Sequence, residues 1–201
     1  AVFSGGESPF PYVDALDIDL FLSADVNDVK VALENNIAAA HIFTENYQPS
    51  KSKQLRIGFD ADAVIFSDES EITFKKKGLK TYLKEEGKSK KPIAPGPFNG
   101  FLKKLNIIQS KYSANKCPIR IALVTARAAP AHKRVINTLR KENIRIDETF
   151  FLGGLSKGKF LKGFSADIFF DDLTENCIEA TSHVSTGHVP YGINNPKWKY
   201  F

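Results

Sequence analysis

Asp60 and Asp62 flank one small residue, Ala61, directly after an apolar run that begins at Leu55. Two acids held this close can divide their work, one staying ionised while the other carries a proton. Together they can also bind a hard cation through oxygen. The spacing alone is common on solvated loops, so its neighbours must give it meaning. Thr125 closes a second apolar run, 119–124. Its hydroxyl suits a phosphate oxygen and equally suits a helix N-cap. Gly153-Gly154-Leu155-Ser156-Lys157-Gly158-Lys159 is a glycine-rich turn carrying two cations. Such turns before helices cradle anions, although this is not Walker A spacing. Lys157 or Lys159 can neutralise a transferring phosphoryl group, with Lys159 reading better as a solvated surface residue. Asp171-Asp172 follows the short apolar run 168–170. Adjacent buried acids are costly without partners, which a divalent metal relieves. The other reading is an N-cap pair for a helix starting near Thr174.

These groups share a position in the expected fold. The runs ending at Asp60, Thr125 and Asp171 read as buried strands. Phe98, Phe101, Leu102, Leu105 and Ile108 recur at helical spacing, and Val135, Ile136 and Leu139 mark a helix opened by Pro130. Strands alternating with helices predict an α/β fold, a mainly parallel sheet with helices on both faces. Ligands then sit outside the carboxyl ends of the strands, where all these groups fall. Residues 48–53 read as a linker. Residues 67–97, charged and interrupted by Gly78, Gly87, Pro92, Pro95 and Pro97, read as an insertion packed over the site, with a short helix around 79–86.

The chain also carries an internal repeat. Val2-Phe3-Ser4-Gly5-Gly6 matches Phe150-Phe151-Leu152-Gly153-Gly154, and Asp19-Leu20-Phe21-Leu22 matches Asp167-Ile168-Phe169-Phe170 at the same offset. Each copy runs on toward a histidine, His41 or His188. The first copy has Pro9 for Lys157 and Ser23-Ala24 for Asp171-Asp172, so it keeps a scaffold without the charged groups. Residues 1–45 are expected to fold like 149–189 and to hold no metal.

Composition narrows the class. The 201 residues are 42% hydrophobic and carry a net charge of +5, with a pI of about 9.1. The basic runs at 75–77 and 88–91 lack interleaved aromatics, so a solvated face is expected rather than a nucleic-acid site. No apolar run reaches the ~18 residues of a membrane helix, and the first residues do not read as a secretory leader. Cys117 and Cys177 match no metal or redox spacing and read as reduced cytosolic thiols. The absence of methionine fits a fragment of a longer chain.

The order of Asp-x-Asp, Thr, Lys and Asp-Asp, each at a strand end, resembles the haloacid dehalogenase superfamily of phosphohydrolases. Longer motifs resemble the cytosolic 5′-nucleotidase I family: Phe59-Asp60-Ala61-Asp62-Ala63-Val64-Ile65-Phe66-Ser67-Asp68-Glu69-Ser70-Glu71, Thr125-Ala126-Arg127-Ala128-Ala129-Pro130-Ala131-His132-Lys133-Arg134, Phe151-Leu152-Gly153-Gly154 and His188-Val189-Pro190-Tyr191-Gly192. Ala61 stands where this family is expected to have glycine.

The resemblance implies a Rossmann-like catalytic domain over 54–201, with a small cap at about 67–97. Residues 1–47 would be the tail of a degenerate upstream half. It implies a cytoplasmic, Mg²⁺-dependent enzyme that hydrolyses nucleoside 5′-monophosphates. Asp60 would be the nucleophile and Asp62 the acid and base. Asp60, Asp172, the main-chain carbonyl of Asp62 and nearby Asp171 would surround the metal. Thr125 and Lys157 would hold phosphoryl oxygens, and Ala126, Arg127, His132, Ser67 and Glu69 would lie toward the substrate. Arg127 and His132 read equally well as structural hydrogen-bonders. Expected partners are a second copy or an upstream segment. A phosphatase for another phosphomonoester and a non-catalytic nucleotide-binding protein are the alternatives.

Overall fold

The computed structural model describes residues 10–43 and 52–195. The first glycine turn of the repeat, Pro9 and most of the linker lie outside those residues. Seven strands form one sheet: β1 (Leu20–Ser23), β2 (Ala38–Phe43), β3 (Leu55–Phe59), β4 (Ile119–Thr125), β5 (Glu148–Phe151), β6 (Ile168–Asp171) and β7 (Ser185–His188). Their order is β1-β2-β7-β6-β3-β4-β5. All pairs are parallel except β2 with β7.

Alternation along the strands divides the core. Ile57, Phe59, Ile121, Leu123 and Phe170 point to one face, where α4 (Asn99–Ser110) and α5 (His132–Lys141) cover them with Leu102, Leu105, Val135 and Leu139. Ala122, Val124 and Phe169 point to the other, under α6 (Gly158–Phe164) and α7 (Thr174–Ala180). The first face is aromatic at its centre. Phe59 stacks on Phe170 at 5.5 Å between centroids, and Phe98 meets Phe170 at 4.9 Å. Each such ring pair adds about 0.5–1.5 kcal/mol beyond its burial.

The chain runs outward from β3 to β4 and β5, then returns to β6 and β7 on the other side of β3. The crevice between β3 and β6 is therefore a topological switch point, where such sheets bind ligands. The register Phe59↔Phe170 sets Asp60 level with Asp171, and Phe59↔Leu123 sets Thr125 level with Ala61.

The described part of the first repeat follows the second element by element. A short helix α1 (Val13–Leu16), β1, α2 (Val26–Glu34) and β2 stand where α6, β6, α7 and β7 stand. β1 ends at Ser23 as β6 ends at Asp171. His41 and His188 face each other across the antiparallel β2–β7 pair. The Nε2 of His41 donates to the Ala24 carbonyl at 3.1 Å, and that of His188 to the Asp172 carbonyl at 3.0 Å. Both histidines brace the turn after the equivalent strand, and Ala24 occupies the place of Asp172.

The insertion is more helical than its glycines suggested. Helix α3 covers Glu69–Lys88, leaving helical geometry only at Gly78 (φ 75°, ψ 169°). A straight helix would hold Ser70 and Glu86 about 24 Å apart, yet both accept from one guanidinium, that of Arg127. Phe74 meets Tyr82 at 5.8 Å and Lys77 pairs with Glu85 at 2.9 Å, contacts that eight residues of straight helix would forbid. α3 is therefore a two-armed hairpin with Gly78 at its corner. The expected helix at 79–86 is its second arm. Gly87 continues that arm rather than ending it. α5 begins at His132 rather than at Pro130, which follows a cis peptide bond.

Candidate active site

Asp60 leaves β3 with its N–H donated to the Phe170 carbonyl at 2.8 Å, which ties the start of the turn to β6. The chain then curls tightly through Ala61–Ile65. Asp62 stays extended (φ −77°, ψ 142°), and Ala63 takes a left-handed conformation (φ 58°). The loop after β7 closes over this turn. Gly192 has φ 81°, and a Cβ there would sit 2.9 Å from that of Ala63, so only glycine allows so close an approach.

Asp60, Asp171, Asp172 and Lys157 form one buried cluster. Lys157 Nζ lies 2.6 Å from Asp171 Oδ2 and 2.8 Å from Asp60 Oδ1. Asp171 is fully engaged: it also accepts from the Leu173 N–H and from the Asn176 amide. Asp60 and Asp172 are not. Asp60 Oδ1 has Lys157 as a charge neighbour but no aligned hydrogen bond, and Asp172 Oδ1 has no partner among the described residues. Asp172 is fixed by other atoms. Its carbonyl accepts from His188 and Asn195, and Oδ2 accepts from Asn194 at 3.2 Å.

One carboxylate oxygen from each of Asp60, Asp171 and Asp172 falls within 4.8 Å of the others. Burial raises the pKa of Asp60 against the pull of Lys157, and burial together with the Asp60 charge raises that of Asp172. Three buried carboxylates against one ammonium leave negative charge uncompensated. Orphaned carboxylate oxygens in an all-oxygen setting fit a hard divalent cation. Burial acts to lower the Lys157 pKa, but Asp171 and Asp60 outweigh it and raise the value; the ammonium stays charged.

Thr125 ends β4 fully buried, its hydroxyl accepting from the Arg127 N–H at 3.2 Å. Asp62 is held on the far side of the turn. Arg127 Nε and Nη2 grip its two oxygens at 2.7 and 2.6 Å. Nη2 also donates to Ser70 Oγ at 2.5 Å, and Nη1 to Glu86 Oε2 at 2.6 Å and the Ala131 carbonyl at 3.4 Å. Glu86 gives its other oxygen to Arg134, which also pairs with Glu69. Glu69 is thus engaged by Arg134, with Ser67 beside it at 3.4 Å. Ala126 is exposed on the loop after β4. The His132 ring lies against Phe151 at 5.3 Å. Asp60, Asp171, Asp172 and Lys157 thus meet in one cluster, while Asp62 and Thr125 are tied to Arg127, which also holds Ser70 and Glu86 of α3.

No role was legible in the sequence for Glu71, which closes the first motif, or for Glu86, Asn194 and Asn195. Asn194 links Glu71 at 2.9 Å to Asp172. Burial, then the Asp62 charge, pushes the Glu71 carboxyl up to about 7. The only sequence signal was the paired amides Asn194-Asn195 shortly after His188-Val189-Pro190-Tyr191-Gly192. Both cysteines are buried and unpaired, as expected. Among the described residues no helix is long and apolar enough to cross a membrane.

Comparison with known proteins meets this geometry from outside. The family profile described as 5′-nucleotidase matches residues 1–196. Human cytosolic 5′-nucleotidase 1B is 41% identical over 176 residues, covering 84% of this chain. The chain spans 29% of that relative's length. No solved structure matches. A match across nearly the whole sequence, together with 41% identity to that relative, places the chain in the 5′-nucleotidase family.

Proposed function

We propose that this chain hydrolyses nucleoside 5′-monophosphates to nucleoside and phosphate through an aspartyl-phosphate. The observation that carries the proposal is the buried cluster of Asp60, Asp171, Asp172 and Lys157 at the switch point. Membership of the 5′-nucleotidase family supplies the substrate class. A Walker-type nucleotide site would present backbone donors instead of three carboxylates, so the cluster favours phosphoryl transfer to an acid.

An Asp60 carboxylate oxygen attacks phosphorus, and the bond from phosphorus to the 5′-oxygen breaks. Asp62 gives that oxygen its proton, then takes one from the water that attacks phosphorus and frees Asp60. Lys157 and the Thr125 hydroxyl hold phosphoryl oxygens. Lys157 keeps its charge throughout, because two carboxylates fix it. Asp60 and Asp172, with the Asp62 carbonyl and Asp171 close by, would hold Mg²⁺, which supplies charge neutralisation at the phosphoryl group. Their oxygen-only donor set favours Mg²⁺ over zinc. Asp171 serves mainly to fix Lys157, since its own acceptor sites are occupied. The α3 hairpin covers the nucleoside as a cap, with Ser67, Glu69, Ala126 and His132 around its roots.

We read the catalytic domain as residues 54–201 and residues 1–47 as the tail of a degenerate repeat. That tail offers β1, paired only with β2 among the described residues, to a second copy or an upstream segment. The naming of the human relative as cytosolic supports a cytoplasmic location.

Phosphate release from a panel of nucleoside monophosphates and sugar phosphates, with Mg²⁺ and with a chelator, tests the proposal. Turnover of nucleotides that a chelator abolishes is the expected result. Preference for sugar phosphates, or no turnover of any phosphomonoester, contradicts it.

A further inference from the structure

Arg127 is the most heavily bonded side chain near the site, and the proposed chemistry does not use it. It is 3% exposed. A guanidinium has five N–H donors, and here every one meets a protein acceptor: Asp62 twice, Ser70, Glu86 and the Ala131 carbonyl. No donor remains for a phosphate or a sugar. Ser70 and Glu86 lie at the two roots of the α3 hairpin, so one cation joins the Asp62 carboxylate to both feet of the cap.

We infer that Arg127 is a positioning residue that fixes the plane of the Asp62 carboxylate and makes its placement depend on both roots of the α3 hairpin being seated. A two-point arginine–carboxylate pair sets orientation as well as distance. Each carboxylate oxygen spends one lone pair on Arg127 and keeps another, so Asp62 can still face the leaving oxygen. Lysine would keep the charge but lose the fork. Glu86 extends the link, because it joins Arg127 to Arg134 at 2.6 Å each. Loss of either root's contact to Arg127 would therefore loosen the acid.

This inference rests on Asp62 being the acid and base, and the experiment separates the two. Arg127→Lys and Glu86→Gln are made in the wild-type chain and in Asp62→Asn, with melting curves to establish folding. Steady-state kinetics on a nucleoside monophosphate with Mg²⁺ then give kcat and KM. Arg127→Lys is expected to lower kcat about 100-fold with KM changed by less than about threefold, the pattern of a lost transition-state interaction. Glu86→Gln is expected to act in the same sense with Arg127 intact. In the Asp62→Asn background neither should change kcat more than about twofold, because residues acting through one group are not additive. Losses that multiply in that background overturn the inference, as does a rise in KM at constant kcat. Wild-type kcat in Arg127→Lys beside a slow Asp62→Asn removes only the positioning role. Full turnover in Asp62→Asn, or none in the wild type, removes the underlying reading as well.

Discussion

Lys157 and Asp172 carry opposite risks at the centre of the crevice. Lys157 balances Asp60 and Asp171, so Lys157→Met leaves two buried carboxylates without their cation. A buried charge stripped of its partner destabilises by about 3–5 kcal/mol. Lys157→Met is thus expected to lose activity and to unfold at clearly lower denaturant, as urea titration can measure. Asp172→Asn removes negative charge from a group whose ionisation burial already opposes. The fold should keep or gain stability in chelator while the Mg²⁺ needed for half-maximal turnover rises steeply. An unchanged Mg²⁺ requirement would count against Asp172 as a ligand. Glu71 gives a pH test. Its folded value of about 7 lies above the ordinary 4.5, so ionisation penalises the folded state. The penalty is absent below 4.5, grows as pH rises through about 7 and persists above it. In chelator, Glu71→Gln should therefore melt higher than wild type at about pH 8 and equally at about pH 4.5. A raised melting temperature at both pH values would contradict the assignment. Asp60, Thr125, Lys157 and Asp171-Asp172 were legible in the sequence because each closes an apolar run or a glycine turn. Glu71 and Glu86 were not, since both look like solvated charges on a lysine-rich helix until the hairpin folds them inward.

At the scale of elements, the hairpin α3 depends on its corner. Gly78 combines φ 75° with ψ 169°, a region open essentially to glycine alone. A Cβ there meets nothing within 4 Å, so Gly78→Ala isolates the backbone cost, about 1–3 kcal/mol. The main sheet should stay intact, with amide exchange accelerating in residues 69–88 before it does in β3 or β4. Unchanged exchange in the hairpin would mean that the corner carries no strain. The sequence announced a break at Gly78 and a helix after it. It could not announce the reversal, which shows in contacts between the arms, Phe74 with Tyr82 and Lys77 with Glu85, and in Arg127 gripping both. The strands were easier to read, because β3, β4 and β6 are buried on both faces and show as continuous apolar runs.

Across the whole molecule, two units of like element order meet at the antiparallel β2–β7 pair, and only the second ends its first strand on paired acids, Asp171 and Asp172. The repeat was legible because the apolar positions of β1 and β6 recur at one offset, with Ser23 and Ala24 where the other copy has Asp171 and Asp172. What the sequence left open was how the copies meet, which rests on backbone pairing between His41 and His188. β1 has the place of β6 but lacks a neighbour corresponding to β3 among the described residues. Its Leu22 is 44% exposed. Unpaired edges invite another strand, and an edge lysine blunts them. Light scattering should find concentration-dependent association of this chain, which Leu22→Lys diminishes; a strict monomer in both would leave the edge without a role. The proposed hydrolysis turns on the bond that Asp60 would form with phosphorus. Mixing the chain with a nucleoside monophosphate and Mg²⁺, quenching in acid within a turnover and mapping the phosphorylated peptide tests it most directly. An acid-stable, base-labile phosphoryl group on Asp60, absent from Asp60→Asn, is the expected result. Label on another residue, or nucleotide hydrolysis by Asp60→Asn near the wild-type rate, would contradict it.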